Sequence, residues 1–237
     1  LPAIRQLDER REAQYNMMVQ HAEADYRWLL SAAPASKQEF IYAAFSAAGE
    51  PLGYAAFKKQ DEPDGRNLVC SRFCFADKGG FEELMRLFKS LSSDHRFVKF
   101  STPANPAMQY FMPEWSLGAV SWSVQSAGMV RAVNVKSVLG KARYIGSGTA
   151  CVAVQDSQIP ENNDSFAVTF ADGRAASVTR GGEADTVMTI PTFSALIAGV
   201  WDFAEARGAL PGLEVKRENS CLNQVFFRKP LMIADYF

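Results

Sequence analysis

Leu68–Leu91 reads LVCSRFCFADKGGFEELMRLFKSL, and a change of rhythm inside it decides the fold. Up to Phe75 the residues are Leu, Val, Cys and Phe broken by two polar positions, which is the composition of a buried strand. Beyond the pair Gly79-Gly80, the side chains of Leu84, Leu87, Phe88 and Leu91 recur at three and four residue intervals, so a helix over 81–91 has one apolar face. A strand that turns through glycines into an amphipathic helix is the repeating unit of a mixed α/β layer. Working outward, Glu39–Phe45 and Leu52–Lys59 are apolar, aromatic runs separated by Ala-Ala-Gly-Glu-Pro, which predicts a β-hairpin. Asp61–Asn67 (DEPDGRN) predicts a turn-rich loop. Ahead of these, Ile4–Leu30 is rich in long polar side chains, with Leu7, Tyr15, Met18 and Val19 at helical spacing; it predicts one N-terminal helix or a pair. Past the amphipathic helix, Phe97–Ser101 reads as a strand and Asn105–Phe111 as a short helix, and this block ends near Ser126.

The second half has another rhythm. Met129–Val135 alternates as a strand, Lys136–Lys141 is a short helical piece, and Gly146-Ser147-Gly148 a loop. Thr149–Gln155 and Phe166–Phe170 alternate strongly, and Asp172-Gly173 is a hairpin signal leading into Ala175–Thr179. After Gly181-Gly182 come a strand over Val187–Ile190, an apolar helix over Phe193–Trp201 opened by Pro191-Thr192, and a second helical piece to Leu210. Cys221–Phe227 is apolar. The expectation is an α+β domain, an antiparallel sheet with helices to one side, preceded by a mixed α/β domain.

Composition removes several classes of function. The 237 residues fit one or two domains, and 48% hydrophobic content fills a core in each. Lys and Arg number 25 against 26 Asp and Glu, a net charge of -1, which leaves no footprint for a nucleic-acid backbone. Apolar stretches such as Phe193–Val200 are too short to span a bilayer. The 4 cysteines, without a CxxC pair, fit a reducing cytoplasm better than a disulfide framework. With 2 histidines a three-histidine metal site is impossible, and no metal is expected. The chain opens Leu1-Pro2 without Met, and Arg5, Asp8, Glu9, Arg10 and Arg11 interrupt any signal-peptide core, so a processed end or a cut from something longer is expected.

No nucleophile elbow, Walker loop or GxGxxG follows any strand. Phe75–Phe81 (FADKGGF) is the one glycine-rich turn at a helix start, where free N–H groups hold a phosphate or simply turn the chain. The carboxylates Glu82-Glu83 and those of Asp61–Asp64 read as solvated charges. Cys70 and Cys74 read as core residues on one face of a strand, about 13 Å apart, too far to share a metal or disulfide. His95 reads as solvated, and His21 lies within the first helix, facing either core or solvent. Trp28, Trp115, Trp122 and Trp201 read as core rather than ligand stackers. Arg131, alone in an apolar run, needs an ion pair or an edge position. The end, FRKPLMIADYF over 227–237, is apolar; a docked Phe237 would carry the α-carboxylate inward, an anion needing partners.

Four stretches, DYRWLL (25–30), GYAAFK (53–58), GMVRAVNV (128–135) and PLMIADYF (230–237), occur in an order and spacing that resembles the second and third domains of the enhanced intracellular survival family. These are three-domain members of the GNAT acetyltransferase superfamily, and the likeness runs over essentially the whole chain. The family plan is an N-terminal GNAT domain that binds acetyl-CoA, a second GNAT-like domain that does not, and a C-terminal domain of the sterol-carrier-protein fold. The resemblance implies a degenerate GNAT-like domain over 1–127 and a sterol-carrier-like domain over 128–237, with the first domain missing. A working GNAT domain has Arg or Gln, then x-x-Gly-x-Gly or Ala, around the CoA pyrophosphate. At the matching place stands Phe75-Ala76-Asp77-Lys78-Gly79-Gly80, where Asp77 would repel phosphates. Acetyl-CoA therefore falls to the missing domain, and no residue of this chain is assigned to it.

In the family the free C-terminal carboxylate helps deprotonate the substrate amine. By position that role falls on the α-carboxylate of Phe237, with Tyr236 and Asp235 near the substrate. The family often has an acidic residue next to last; Tyr236 departs from this, which puts polycationic substrates such as aminoglycosides in doubt. The tyrosine general acid belongs to the missing domain. The implied function is the C-terminal part of an acetyl-CoA-dependent amine N-acetyltransferase, inactive alone, in a cytoplasmic homo-oligomer that in the family is a hexamer. A second reading is a self-contained protein that binds a lipid or sterol-type ligand, with Phe193, Leu196, Ile197, Val200, Trp201 and Phe203 lining a tunnel; helical spacing favours core packing for the same residues. A third is an independent acetyltransferase using Gly79-Gly80.

Overall fold

A computed structural model describes residues 1–31, 39–103, 108–111, 120–123 and 128–233. The chain divides into two units, Leu1–Ser126 joined by the chain end from Met232, and Ala127–Leu231.

The first unit runs α1 (Pro2–Gln14), α2 (Glu23–Ser31), β1 (Glu39–Phe45), β2 (Pro51–Glu62), β3 (Gly65–Phe75), α3 (Lys78–Ser90) and β4 (Val98–Lys99). Its sheet has the order β1-β2-β3-β4; the first three are antiparallel, and β4 lies parallel to β3 after the α3 crossover. The loop expected over 61–67 is much shorter. Asp61 pairs with Arg66 and Glu62 with Gly65, so the ladder runs to the turn itself. Buried Asn67 fixes that turn by donating to Glu62 (2.6 Å) and Asp64 (2.8 Å) and accepting from the Phe97 N–H at 3.1 Å. The strand expected over 97–101 shrinks to Val98–Lys99, and the helix expected over 105–111 is a 3₁₀ turn, Met108–Phe111, in its described part.

Alternation along β2 sends Ala55 and Phe57 to one face and Tyr54 to the other. Ala55 and Phe57 join Leu68, Phe73, Phe81, Leu84 and Phe88 in a core under α3, while Tyr54 joins Ile4, Leu7, Tyr26 and Cys74 under α1 and α2. Cys70 and Cys74, expected on one face, lie on opposite faces. Ala56 pairs with Arg72 but Phe57 with Cys70, so Ser71 is the extra residue of a bulge that reverses the alternation. Burial pushes the two thiols up, to about 12 for Cys70 and about 11 for Cys74, which makes both unreactive packing residues. The N-terminal helical stretch is a pair, broken over 15–22, and Met17 takes a left-handed φ of 68° there. His21 consequently sits in the connector rather than in a helix. Its ring lies 3.2 Å from the Arg72 guanidinium and 3.6 Å from Glu12.

The polar centre of this face is Asp8, 1% exposed. Both its oxygens accept from the Tyr54 hydroxyl at 2.8 Å, Arg11 donates at 2.9 Å, and Arg72 stands 3.7 Å away. Arg11 also donates to the Phe73 carbonyl at 3.0 Å, so α1 is tied to both β2 and β3. A carboxylate taken out of water needs every one of these partners. Burial, and after it the Asp8 charge, pushes the Tyr54 phenol well above its ordinary range, which keeps it a donor.

The second unit runs α4 (Val135–Lys141), β5 (Gly148–Gln155), β6 (Asp164–Ala171), β7 (Arg174–Arg180), β8 (Thr186–Thr189), α5 (Ile190–Ala198), α6 (Phe203–Ala209), β9 (Leu213–Val215) and α7 (Leu222–Val225). Its sheet has the order β7-β6-β5-β8-β9, antiparallel except that β5 and β8 run parallel. The strand expected over 129–135 is absent. There the backbone is held by side chains instead: the Ala132 N–H donates to Ser194 at 3.0 Å and the Val135 N–H to Asn162 at 3.0 Å. Of its apolar residues, Met129, Val130 and Val133 are exposed, while Ala132 and Val135 are buried in the core. Arg131 has the ion pair that its setting demands, 2.6 Å from Asp156.

Asp156 organises this corner, and Asp185 does the same across the sheet, accepting from the Cys151 N–H (2.7 Å), Asn219 (2.8 Å) and Arg217 (2.7 Å). Burial alone would raise the Asp156 carboxyl. Hydrogen bonds from Asn162, the N–H groups of Gln158 and Ile159, and Arg131 outweigh it and hold the group down at about 2.

Two tests follow from these carboxylates. Tyr54→Phe removes a donor from a buried anion and should cost the first unit about 1.5–3 kcal/mol in a denaturant titration. Because the folded Asp156 carboxyl lies below its ordinary value, its contribution is complete above about pH 4 and is lost as pH falls toward about 2. Thermal melting from pH 6 to pH 2 should show a smaller acid-induced loss in Asp156→Asn than in the wild type.

Candidate functional site

The β3–α3 junction is where a phosphate would have to bind, and it is filled by the protein itself. Asp77 is the N-cap of α3, and its side chain accepts from the Gly80 N–H at 3.0 Å. The free donor that an anion needs is taken, and a negative charge stands at the helix N-terminus. The Phe81 N–H is also used, bonding the Asp77 carbonyl at 3.1 Å. From the other side β2 closes in. The Leu52 carbonyl accepts from the Ala76 N–H at 2.8 Å, and a Cβ on Gly80 would lie 2.0 Å from that oxygen. Gly80 is therefore a packing glycine, required by the approach of β2 rather than by a ligand.

The C-terminal segment is the other candidate. Phe226 is fully buried in the second unit, stacked on Phe203 and edge-on to Phe193. The Lys229 N–H donates to the Gly199 carbonyl at 3.0 Å and its ammonium to the Ile197 carbonyl at 2.8 Å, over the Phe227 ring. Gly199 has φ +88 and its missing Cβ would meet the Lys229 side chain at 2.5 Å, so glycine is required twice over. Burial lowers the Lys229 ammonium to about 8. Met232 then joins the first unit, buried, its N–H donating to the Asn16 carbonyl at 3.2 Å. Asp235, Tyr236 and Phe237, the residues that the sequence nominates, lie outside the described residues. The Asn16 contact had no sequence signal beyond the apolar character of Leu231-Met232-Ile233.

Most of the proposed tunnel residues are core. Phe193, Leu196, Ile197 and Phe203 are buried in one cluster with β5, β6 and β8 side chains, Trp201 packs half-buried against it, and Val200 is exposed. A groove of about 510 Å³ lies instead between α4 and β7, lined by small and polar residues such as Ser137, Gly140, Ala176 and Ser177. Trp122 is exposed rather than core, and His95 is half-buried rather than solvated. The Trp28 side chain and Trp115 lie outside the described residues. The carboxylates of Glu82 and Glu83 face Lys78 and Arg86 one turn away, and Asp61 pairs with Arg66, so these are surface ion pairs. Among the described residues no three His, Cys, Asp or Glu are placed to hold a metal, and no helix is long and apolar enough to cross a membrane.

Comparison with known proteins agrees with this architecture. The sterol carrier protein domain family matches residues 135–218. No curated protein matches the chain. Among solved structures, it is similar to a GCN5-related N-acetyltransferase from Anabaena variabilis ATCC 29413, with a TM-score of 0.82 and 18% identity over 100% of this chain and 60% of that one. A conserved protein of unknown function from Enterococcus faecalis V583, a probable N-acyltransferase, gives 0.77 and 19% over 97% of this chain and 58% of that one. Eis1 from Mycobacterium abscessus gives 0.63 and 14% over 89% and 54%. The chain thus has an α+β fold found in GNAT-type N-acetyltransferases, with a sterol-carrier-type second part. It spans 60%, 58% and 54% of the lengths of those three structures.

The filled junction makes a direct prediction. Asp77→Ala should cost about 1 kcal/mol of stability through the lost cap, read by thermal melting. It should not create CoA binding in a calorimetric titration of this chain, because Phe75–Gly80 still lacks the Arg or Gln and the Gly-x-Gly or Ala spacing of a working pyrophosphate loop.

Proposed function

We propose that this chain is the C-terminal part of an acetyl-CoA-dependent amine N-acetyltransferase. One observation carries the reading: in a chain with this fold, the turn that matches the CoA pyrophosphate loop has its helix N-terminus capped by the Asp77 carboxylate, with the Leu52 carbonyl packed against Gly80. Acetyl-CoA then belongs to an N-terminal GNAT domain outside these residues, and this chain supplies a wall of the amine pocket, an assembly surface and the C-terminal carboxylate. The whole enzyme in this reading is a cytoplasmic homo-oligomer, a hexamer as in the family that the sequence resembles.

In the reaction the amine nitrogen attacks the thioester carbonyl, an N–C bond forms, the C–S bond breaks, and CoA leaves as the thiol. The substrate arrives as an ammonium and must first lose a proton. In this reading the α-carboxylate of Phe237 is assigned to that step, with Tyr236 and Asp235 assigned to the substrate. An α-carboxyl has an ordinary pKa of about 3.3 to 3.7, too low for a strong base at neutrality. Its part is to hold and orient the ammonium and to pass the proton on through water.

The match to sterol carrier proteins favours a second reading, a carrier of an apolar ligand. The burial of Phe193, Leu196, Ile197 and Phe203 in the core weighs against a tunnel there.

Two measurements decide. Extending the natural protein by a few residues beyond Phe237 should lower kcat for amine acetylation at least about tenfold, the low end of a general acid–base contribution; an unchanged rate would sink the carboxylate role. Displacement of a fluorescent fatty acid should show no micromolar uptake, whereas uptake would favour the carrier.

A further inference from the structure

Among the described residues, Met17 and Asp172 are the non-glycine residues with positive φ, at 68° and 52°. Asp172 opens an Asp-Gly hairpin turn, where such a φ is the rule. Met17 has no such local reason. A long apolar side chain disfavours the left-handed region, and at 36% exposure it is not packed into place. A backbone outlier of this kind persists where surrounding contacts impose it. Its neighbour Asn16 receives the Met232 N–H at 3.2 Å.

The turn stands on a rigid base. The Asp8 carboxylate and Arg11 guanidinium tie α1 to β2 and β3, and the Tyr15 N–H closes the helix on the Arg11 carbonyl at 3.0 Å. The strained connector begins directly after that closure. On the other side, Met232 is 9% exposed and is the first residue of the returning chain end that belongs to this unit.

We infer that the Asn16–Met17 turn is a positioning device: it grips the tail at Met232 and so sets where the terminal carboxylate can act. The inference rests on the acetyltransferase reading above. From Met232, the five residues to Phe237 reach at most about 17 Å when fully extended. The amine must therefore be bound within that distance of the α1–α2 connector, and the domain that holds acetyl-CoA must present its site to that end of α1. Asn16 and Met232 act through the tail and touch no substrate.

The test uses the natural, full-length acetylating protein. Met232→Pro deletes the N–H that Asn16 accepts, and Met232→Leu keeps both the N–H and the apolar contact. Met17→Val attacks the grip from the other side, since a β-branched residue resists positive φ; it also serves if Met232→Pro does not fold. The expected result is a kcat about tenfold lower in Met232→Pro and Met17→Val, with KM for acetyl-CoA within about twofold and a melting temperature lowered by no more than about 4 °C. Met232→Leu should restore the wild-type rate. Backbone amides of 231–233 should exchange with solvent faster in the two damaging variants alone. If extension beyond Phe237 abolishes activity while Met232→Pro and Met17→Val keep the wild-type kcat, the carboxylate reading stands and the grip is wrong. If extension itself costs nothing, the carboxylate reading falls and takes the grip with it.

Discussion

The first unit hangs on one buried anion. The Asp8 carboxylate is buried on the inner face of α1, and partners from three elements surround it: Tyr54 from β2, Arg72 from β3 and Arg11 from its own helix. Such a cluster adds little net stability against an apolar equivalent, but it is intolerant of rearrangement, because losing any partner strands the charge. It fixes the register of α1 on the sheet. Everything that follows α1 inherits that placement, including the connector at Asn16–Met17 and, through Met232, the returning chain end.

The other face of the same sheet carries a strand that leads through glycines into an amphipathic helix, a framework on which anion sites can be built. Here the protein's own groups occupy it. Asp77 turns the helix N-terminus on its own carboxylate, and β2 presses a carbonyl against Gly80. Gly80 is required by that packing. The same residues that mark a ligand site in one protein thus mark an interior contact in another, and only the partners of the backbone N–H groups distinguish the two.

Much of this was legible in the residues. The periodicity of Leu84, Leu87, Phe88 and Leu91 placed α3, and the Asp172-Gly173 turn placed the β6–β7 hairpin. Misreadings have identifiable causes. Alternation over 129–135 mimicked a strand, yet its backbone donors are met by Ser194 and Asn162 from distant segments. The bulge at Ser71 is one extra residue with no signature, and it moved Cys70 to the opposite face from Cys74. The parallel β5–β8 pair follows from crossover topology rather than from any run of residues. The Met232 contact is made to the Asn16 backbone carbonyl, beside a left-handed Met17, neither of which a side-chain pattern can reveal.

In the proposed function the chemistry of this fold is completed by a domain that precedes these residues. The most direct measurement is the intact mass of the protein as its own cells make it. An added GNAT domain of about 150 residues predicts about 42 to 43 kDa at about 110 Da per residue. A native mass of about 26 kDa, what 237 residues alone imply, would contradict the account and leave ligand carriage by the second unit as the better reading.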